Sequence, residues 1–225
     1  MSVLKAENAS FSYVSRYNRV DAVKAVACEF DEGRAYAIVG KSGSGKTTLL
    51  SLLAGLENPT EGRVIYNDTP LSDIDRDAYR RDSVSVIYQS LNLFPLLTAE
   101  ENAMYPLKLR GVPTSAAREK ARASLASVGI REELFRRLPS RLSGGEQQRV
   151  AIARAISAES RVILADEPTG SLDLTNGEQV VSILLRLAHE EGRCVIIVTH
   201  DLEIAGQTDE ILMMKDGVLE KGLVE

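Results

Sequence analysis

A mixed α/β fold built around a mostly parallel sheet follows from three observations in the 225-residue sequence. Runs rich in Val, Ile and Ala at 35–39, 162–165 and 195–198 are apolar enough to be strands buried on both faces. Each is followed by a turn signal and helix-like sequence, the alternation that parallel sheets with right-handed crossovers require. Between 98 and 139 the periodicity becomes helical throughout, which reads as an inserted helical piece.

In chain order, residues 3–13, 63–67 and 84–88 read as strands joined by short connections, so an antiparallel part is expected to flank the parallel core. A helix is expected over 48–56. The helical insert has clear periods at 99–109 and 115–128, broken at Gly111-Val112-Pro113 and at Gly129. A further helical run covers 150–156. The chain closes on strands at 211–214 and 218–221 around Lys215-Asp216-Gly217, a hairpin signal. One domain over 1–225 is expected, with its core from about 1–90 and 140–225 and a helical subdomain over about 91–139.

With 44% hydrophobic and 26% charged residues, the composition excludes a disordered, collagen-like or coiled-coil chain. The longest stretch without Asp, Glu, Lys or Arg, 83–99, contains Gln89, Asn92 and Pro95 and is too short to span a bilayer. The N-terminus lacks the basic start and apolar core of a secretion signal, so the cytoplasm is expected. Cys28 and Cys194 lie far apart among apolar neighbours and read as buried, reduced thiols. The net charge of −5 argues against a nucleic-acid partner. Nine basic against three acidic residues between Lys108 and Arg141 give that segment +6, suited to a place beside an anionic membrane surface.

Gly40-Lys41-Ser42-Gly43-Ser44-Gly45-Lys46-Thr47 stands between the strand at 35–39 and the following helix, where a G-x-x-x-x-G-K-[ST] phosphate loop belongs. Glycines let backbone N–H groups converge on an anion, and the helix N-terminus adds its dipole. In this pattern Lys46 neutralises the β- and γ-phosphates of ATP and the Thr47 hydroxyl ligates Mg²⁺. Asp166, closing the strand at 162–165, supplies a carboxylate for the metal, and Glu167 next to it is placed to act as general base on a water.

Leu142-Ser143-Gly144-Gly145-Glu146 opens the helical run at 150–156. Ser143 and Glu146 have capping-box spacing, but capping does not explain two adjacent glycines. Bare glycines at a helix N-terminus admit a second phosphate group, one more than a single ATP in this chain needs.

Taken together, these residues resemble the nucleotide-binding subunit of the ATP-binding cassette (ABC) family over nearly the whole chain. The resemblance rests on Gly40 to Thr47, Gln89, Leu142 to Glu146, Asp166-Glu167, Ser171-Leu172-Asp173 and His200, in the family's order. It implies that Gln89 senses Mg²⁺ and a membrane partner and that His200 holds the γ-phosphate. It implies further that Ser143 and Gly145 contact the ATP held by a second subunit, and that Gly144, Glu146, Asp173 and Thr48 also belong to the nucleotide-binding residues. Tyr13 resembles the aromatic residue stacking on adenine, with Tyr17 and Phe11 as competitors. Tyr88 stands where family members carry Phe.

The stretches 91–102 and 166–173 look like those of the macrolide-export, lipoprotein-release and antimicrobial-peptide-resistance group, which also contains a cell-division member that moves no substrate. The expected protein is an ATPase, peripheral at the inner face of the cell membrane. Two copies would close head to tail around ATP and drive a transmembrane permease on a separate chain. The apolar run at 91–97 reads either as the docking surface for that permease or as core of the helical piece. A soluble cassette acting on DNA or ribosomes lacks the expected long coiled coil or second cassette here. A small-molecule kinase would leave 142–146 and His200 unexplained.

Overall fold

The computed structural model describes residues 2–170 and 172–222. Its elements in order are β1 (Ser2–Val14), β2 (Arg19–Asp31), β3 (Ala35–Val39), α1 (Lys46–Leu53), β4 (Glu61–Tyr66), β5 (Thr69–Pro70), α2 (Arg76–Asp82) and β6 (Val84–Ile87). There follow α3 (Ala99–Leu109), α4 (Thr114–Ser127), two short 3₁₀ turns, α5 (Gly144–Ser157), β7 (Val162–Asp166), α6 (Leu174–His189), β8 (Cys194–Thr199), α7 (Leu202–Ala205), β9 (Glu210–Lys215) and β10 (Val218–Lys221).

The strands form a six-stranded sheet, β10-β9-β3-β8-β7-β6, and an antiparallel four-stranded sheet, β2-β1-β4-β5. In the larger sheet every pair is parallel except β9 with β10. The expectation for 84–88 is corrected here: β6 does not join the antiparallel piece but pairs in parallel with β7 at the sheet edge. Its connection to β7 runs through all of α3, α4 and α5, a crossover invisible from the short local spacing that suggested a meander.

Strands β3, β7 and β8 are buried along their whole length, which is why they read as unbroken apolar runs. Alternate side chains enter two separate cores. Ile163 and Ala165 pack with residues of α3 to α6, while Val162 and Leu164 pack with α1 and the antiparallel sheet. Each fully buried Leu, such as Leu49, Leu52 or Leu125, contributes about 1.5–3 kcal/mol relative to exposure.

β2 escaped the sequence reading for a local reason. Ala25 adopts a left-handed φ of 45° and the pairing with β1 shifts register there, so the buried positions Val23, Val26 and Phe30 lose strict alternation. The terminal hairpin falls where expected, with Asp216 (φ 50°) and Gly217 (φ 86°) forming a two-residue turn between Lys215 and Val218. Cys194 is buried, whereas Cys28 is only half-buried, a correction to the expectation of two buried thiols. Burial still pushes the Cys28 thiol up to about 12 and raises that of Cys194.

Candidate functional site

Register brings the sequence motifs to one edge. In the parallel ladder Val39 pairs with Thr199, Val198 with Asp166, and Ala165 with Ile87. The C-terminal ends of four adjacent strands therefore deliver Gly40, His200, Asp166-Glu167 and Gln89 side by side, the place where open α/β sheets bind ligands.

There Gln89, Asp166, Glu167 and His200 line a cleft of about 740 Å³ together with Ser42, Gly43, Gly45, Lys46, Thr47, Thr48 and Tyr13. The loop is shaped by its glycines. Gly45 has a φ of 104°, and a Cβ on it would stand 2.1 Å from the Ala22 carbonyl oxygen. A Cβ on Gly40 would stand 2.2 Å from the Met214 carbonyl oxygen. Lys46, a buried residue on the first turn of α1, donates to the carbonyls of Gly40 (2.7 Å) and Lys41 (3.2 Å), so its ammonium is held across the loop mouth. Gly40, Lys41 and Ser44, expected in the nucleotide site, do not line this cleft but an adjoining cavity of about 530 Å³ with Met213 and Met214, and the Ser44 N–H donates to the Lys41 carbonyl (3.2 Å).

Thr47 Oγ1 lies 3.3 Å from Asp166 Oδ1. Burial raises the Asp166 carboxyl above the usual carboxylate range, as does the neighbouring Glu167, while the Thr47 hydroxyl and Lys46 oppose the shift. A hydroxyl and a carboxylate meeting over a phosphate loop, with the Gln89 amide in the same cleft, form an all-oxygen donor set that suits Mg²⁺. Glu167 takes a left-handed φ of 46°, its N–H bonds to Val198 O (2.9 Å), and its Oε2 lies 2.9 Å from His200 Nδ1.

Tyr13 lines the cleft, with its hydroxyl 3.3 Å from Thr48 Oγ1. Its competitors stand elsewhere: Tyr17 is 88% exposed outside the lining, and Phe11 packs edge-on against Tyr13 at 5.0 Å and toward the core. Sequence reasoning missed six lining residues, Val20, Asp21, Ala22 and Lys24 on β2 and the Asp216-Gly217 pair of the hairpin turn. For the last, the Asp-Gly signal was present but said nothing of where the turn packs.

The second set of motif residues lies apart. Ser143, Gly144, Gly145, Glu146 and Asp173 do not line this cleft. Ser143 caps α5 in a full capping box with Glu146 (2.8 and 3.3 Å), and Asp173 caps α6 through the Asn176 N–H (2.9 Å). Asn176 ties the two together, since its Oδ1 accepts from Arg149 (2.9 Å) and its Nδ2 donates to Asp173 (2.7 Å). A Cβ on Gly145 would stand 2.9 Å from Asn176 Oδ1, while one on Gly144 would meet open space. Ser171 lies outside the described residues. The run at 91–97 divides between its two readings: Leu93 packs on the helical core, Leu96 is 86% exposed, and Phe94 lines a groove of about 270 Å³ with Tyr88, Tyr105 and Leu109.

A parallel sheet with a glycine-shaped phosphate cradle, a lysine across it and a hydroxyl–carboxylate pair beside it defines a nucleoside-triphosphatase of the phosphate-loop class. The chain belongs to the ABC transporter family, whose model matches residues 23–170. It is 40% identical over 225 residues, 97% of this chain and 96% of the relative, to an uncharacterised ABC transporter ATP-binding protein of Methanocaldococcus jannaschii, MJ0796. It is likewise 40% identical over 222 residues to the lipoprotein-releasing system ATP-binding protein LolD of Saccharophagus degradans, covering 97% of both chains. Among solved structures it resembles a dimeric post-hydrolysis state of the MJ0796 cassette bound to ADP and Pi, with TM-score 0.90 and 37% identity over 98% of this chain and 100% of that one. The protein is an ATPase of this family, and no helix among the described residues is long and apolar enough to cross a membrane.

Proposed function

We propose that two copies of this chain close head to tail around two ATP molecules and that the closure drives a separate transmembrane permease. The observation that carries this reading is the separation of the two motif sets. Ser143, Gly144, Gly145 and Glu146 form a backbone-lined terminus of α5, with Asp173 at the start of α6, and the chain's own cleft uses none of them. In the dimer that terminus meets the γ-phosphate of the opposite subunit; support comes from the MJ0796 cassette, which is dimeric in its solved structures, one of them with ADP and Pi bound. The protein then works at the inner face of the cell membrane. The likeness to LolD supports export or lipoprotein handling as the transport class.

Within each site Tyr13 stacks on adenine, and the loop from Gly40 through Thr48 wraps the phosphates. Lys46 leaves the Gly40 and Lys41 carbonyls for the β- and γ-phosphates. Thr47, Asp166 and Gln89 would hold Mg²⁺, which would supply neutralisation of the phosphate charge. Glu167 takes a proton from the attacking water, and His200, already paired with Glu167, holds the γ-phosphate. The segment over 91–139 serves as a helical subdomain. Its groove at Tyr88, Phe94, Tyr105 and Leu109, next in sequence to Gln89, receives a cytoplasmic helix of the permease.

Two results test the reading. Turnover of Glu167→Gln is expected to fall by about 10² to 10⁴ with ATP binding retained. From detergent-solubilised membranes, wild type is expected to co-purify with a multi-span protein that Leu109→Asp, an exposed change in the groove, fails to retain. Recovery of no membrane protein by wild type would remove the permease from the account and leave the ATPase standing.

A further inference from the structure

We propose that the turn of the terminal hairpin, Asp216-Gly217, is part of the nucleotide site, and that the Gly217 N–H is a positioning group that aims the phosphate loop. Three segments remote in sequence meet at this point. The Gly217 N–H donates to the Ser44 carbonyl of the loop (3.0 Å), and the Gly217 carbonyl accepts from the Lys24 N–H on β2 (2.8 Å). The turn is thereby fixed to β2 on one side and to the loop on the other.

Peptide geometry gives the contact its consequence. The Ser44 carbonyl and the Gly45 N–H belong to one planar trans unit and point in opposite directions. Drawing the carbonyl onto Gly217 turns the Gly45 N–H away from the hairpin, and Gly45 lines the cleft where the phosphates enter. The loop has little freedom to compensate, because Gly45 already sits so close to Ala22 that no side chain fits. The turn itself is confined. Gly217 has a φ of 86°, and a Cβ on it would lie 3.1 Å from the same Ala22 carbonyl oxygen. A two-residue turn with both residues left-handed, which the Asp-Gly pair favours, is what presents the N–H at this spot. Asp216 and Gly217 both line the cleft, so the strut is continuous with the surface that nucleotide touches.

This goes beyond the roles given to the motif residues, since no side chain of the hairpin is required. It predicts weaker nucleotide binding with unchanged chemistry, because Lys46, Asp166 and Glu167 are untouched once nucleotide is seated.

The test replaces only the donor. Residues 216–225 are accessible to semisynthesis, and an ester at the Asp216–Gly217 bond exchanges the Gly217 N–H for oxygen while keeping shape and turn. An ester between Leu219 and Glu220, in the same hairpin but away from the loop, is the control. The first ester is expected to raise the KM for ATP and the Kd for ADP about fivefold, with kcat within twofold of wild type, as loss of one hydrogen bond allows. The control is expected to change neither KM nor Kd, though it lowers the melting temperature comparably. Equal KM in the two esters, or a fall of kcat in step with the rise in KM, would overturn the proposal. A wild-type protein that bound no nucleotide would instead overturn the ATPase reading itself.

Discussion

Arg154 on α5 offers a quantitative test of how the loop after Gln89 is held. Its guanidinium donates to the carbonyls of Asn92 (2.7 Å) and Leu91 (3.1 Å) and lies 5.9 Å from the Phe94 ring centroid. Both acceptor residues are left-handed, with φ of 44° and 62°, a conformation that costs a non-glycine residue about 1 kcal/mol or more. Burial lowers the pKa of this arginine, opposing its charged form, so the contacts work against a desolvation cost. Arg154→Met keeps the apolar stem and deletes two charge-assisted bonds of about 1.5–3 kcal/mol each. Leu91 is half-buried and Asn92 exposed, so their carbonyls regain water in the variant, and the arginine's own desolvation cost is recovered. A net loss of about 2 kcal/mol remains, which for a chain of this size lowers the melting temperature by about 4–8 °C. Differential scanning calorimetry measures the shift, and limited proteolysis over 88–97 reads the loop directly. A shift under about 1 °C with unchanged cleavage would refute the latch.

Other expectations follow from single positions. Gly45→Ala brings a Cβ to 2.1 Å from a backbone oxygen at a φ of 104°, so loss of ATP binding by calorimetric titration is expected while the fold persists by circular dichroism. Tyr13→Ala is expected to weaken ATP about tenfold and Tyr17→Ala to leave the affinity unchanged in the same titration, since only Tyr13 lines the cleft. Glu146 is held below its ordinary pKa by the Ser143 N–H, so its contribution is present above the unfolded pKa and lost as pH falls through the folded one. Glu146→Gln is therefore expected to cost about 0.5–1 kcal/mol near neutrality, with the difference from wild type shrinking below about pH 4.5 in chemical denaturation.

Much of this site could be read from the sequence because its chemistry demands contiguous residues. A phosphate loop must be a strand, glycines and a helix start in succession, and the buried strands around it show as unbroken apolar runs. What escaped depends on contacts between distant segments. The parallel pairing of β6 is decided by a crossover of three helices, not by anything within Val84 to Ile87. The place of Tyr13 in the cleft and of Tyr17 outside it depends on where the β1–β2 hairpin lies over α1. Asn176 carries no motif of its own, yet it links Arg149 to Asp173 and crowds the place where a Cβ on Gly145 would stand. That last contact also gives Gly145 a packing reason to be glycine beside the phosphate-binding one.

The decisive measurement is sedimentation of Glu167→Gln with MgATP, alone and combined with Gly144→Asp, whose side chain starts in open space. If the Ser143-Gly144-Gly145 terminus completes the site of a second copy, Glu167→Gln sediments as a dimer. The double variant then stays monomeric while each chain still binds one ATP in its own cleft. A Glu167→Gln protein that remains monomeric at saturating ATP, or a double variant that dimerises as well as the single one, would contradict the head-to-tail arrangement.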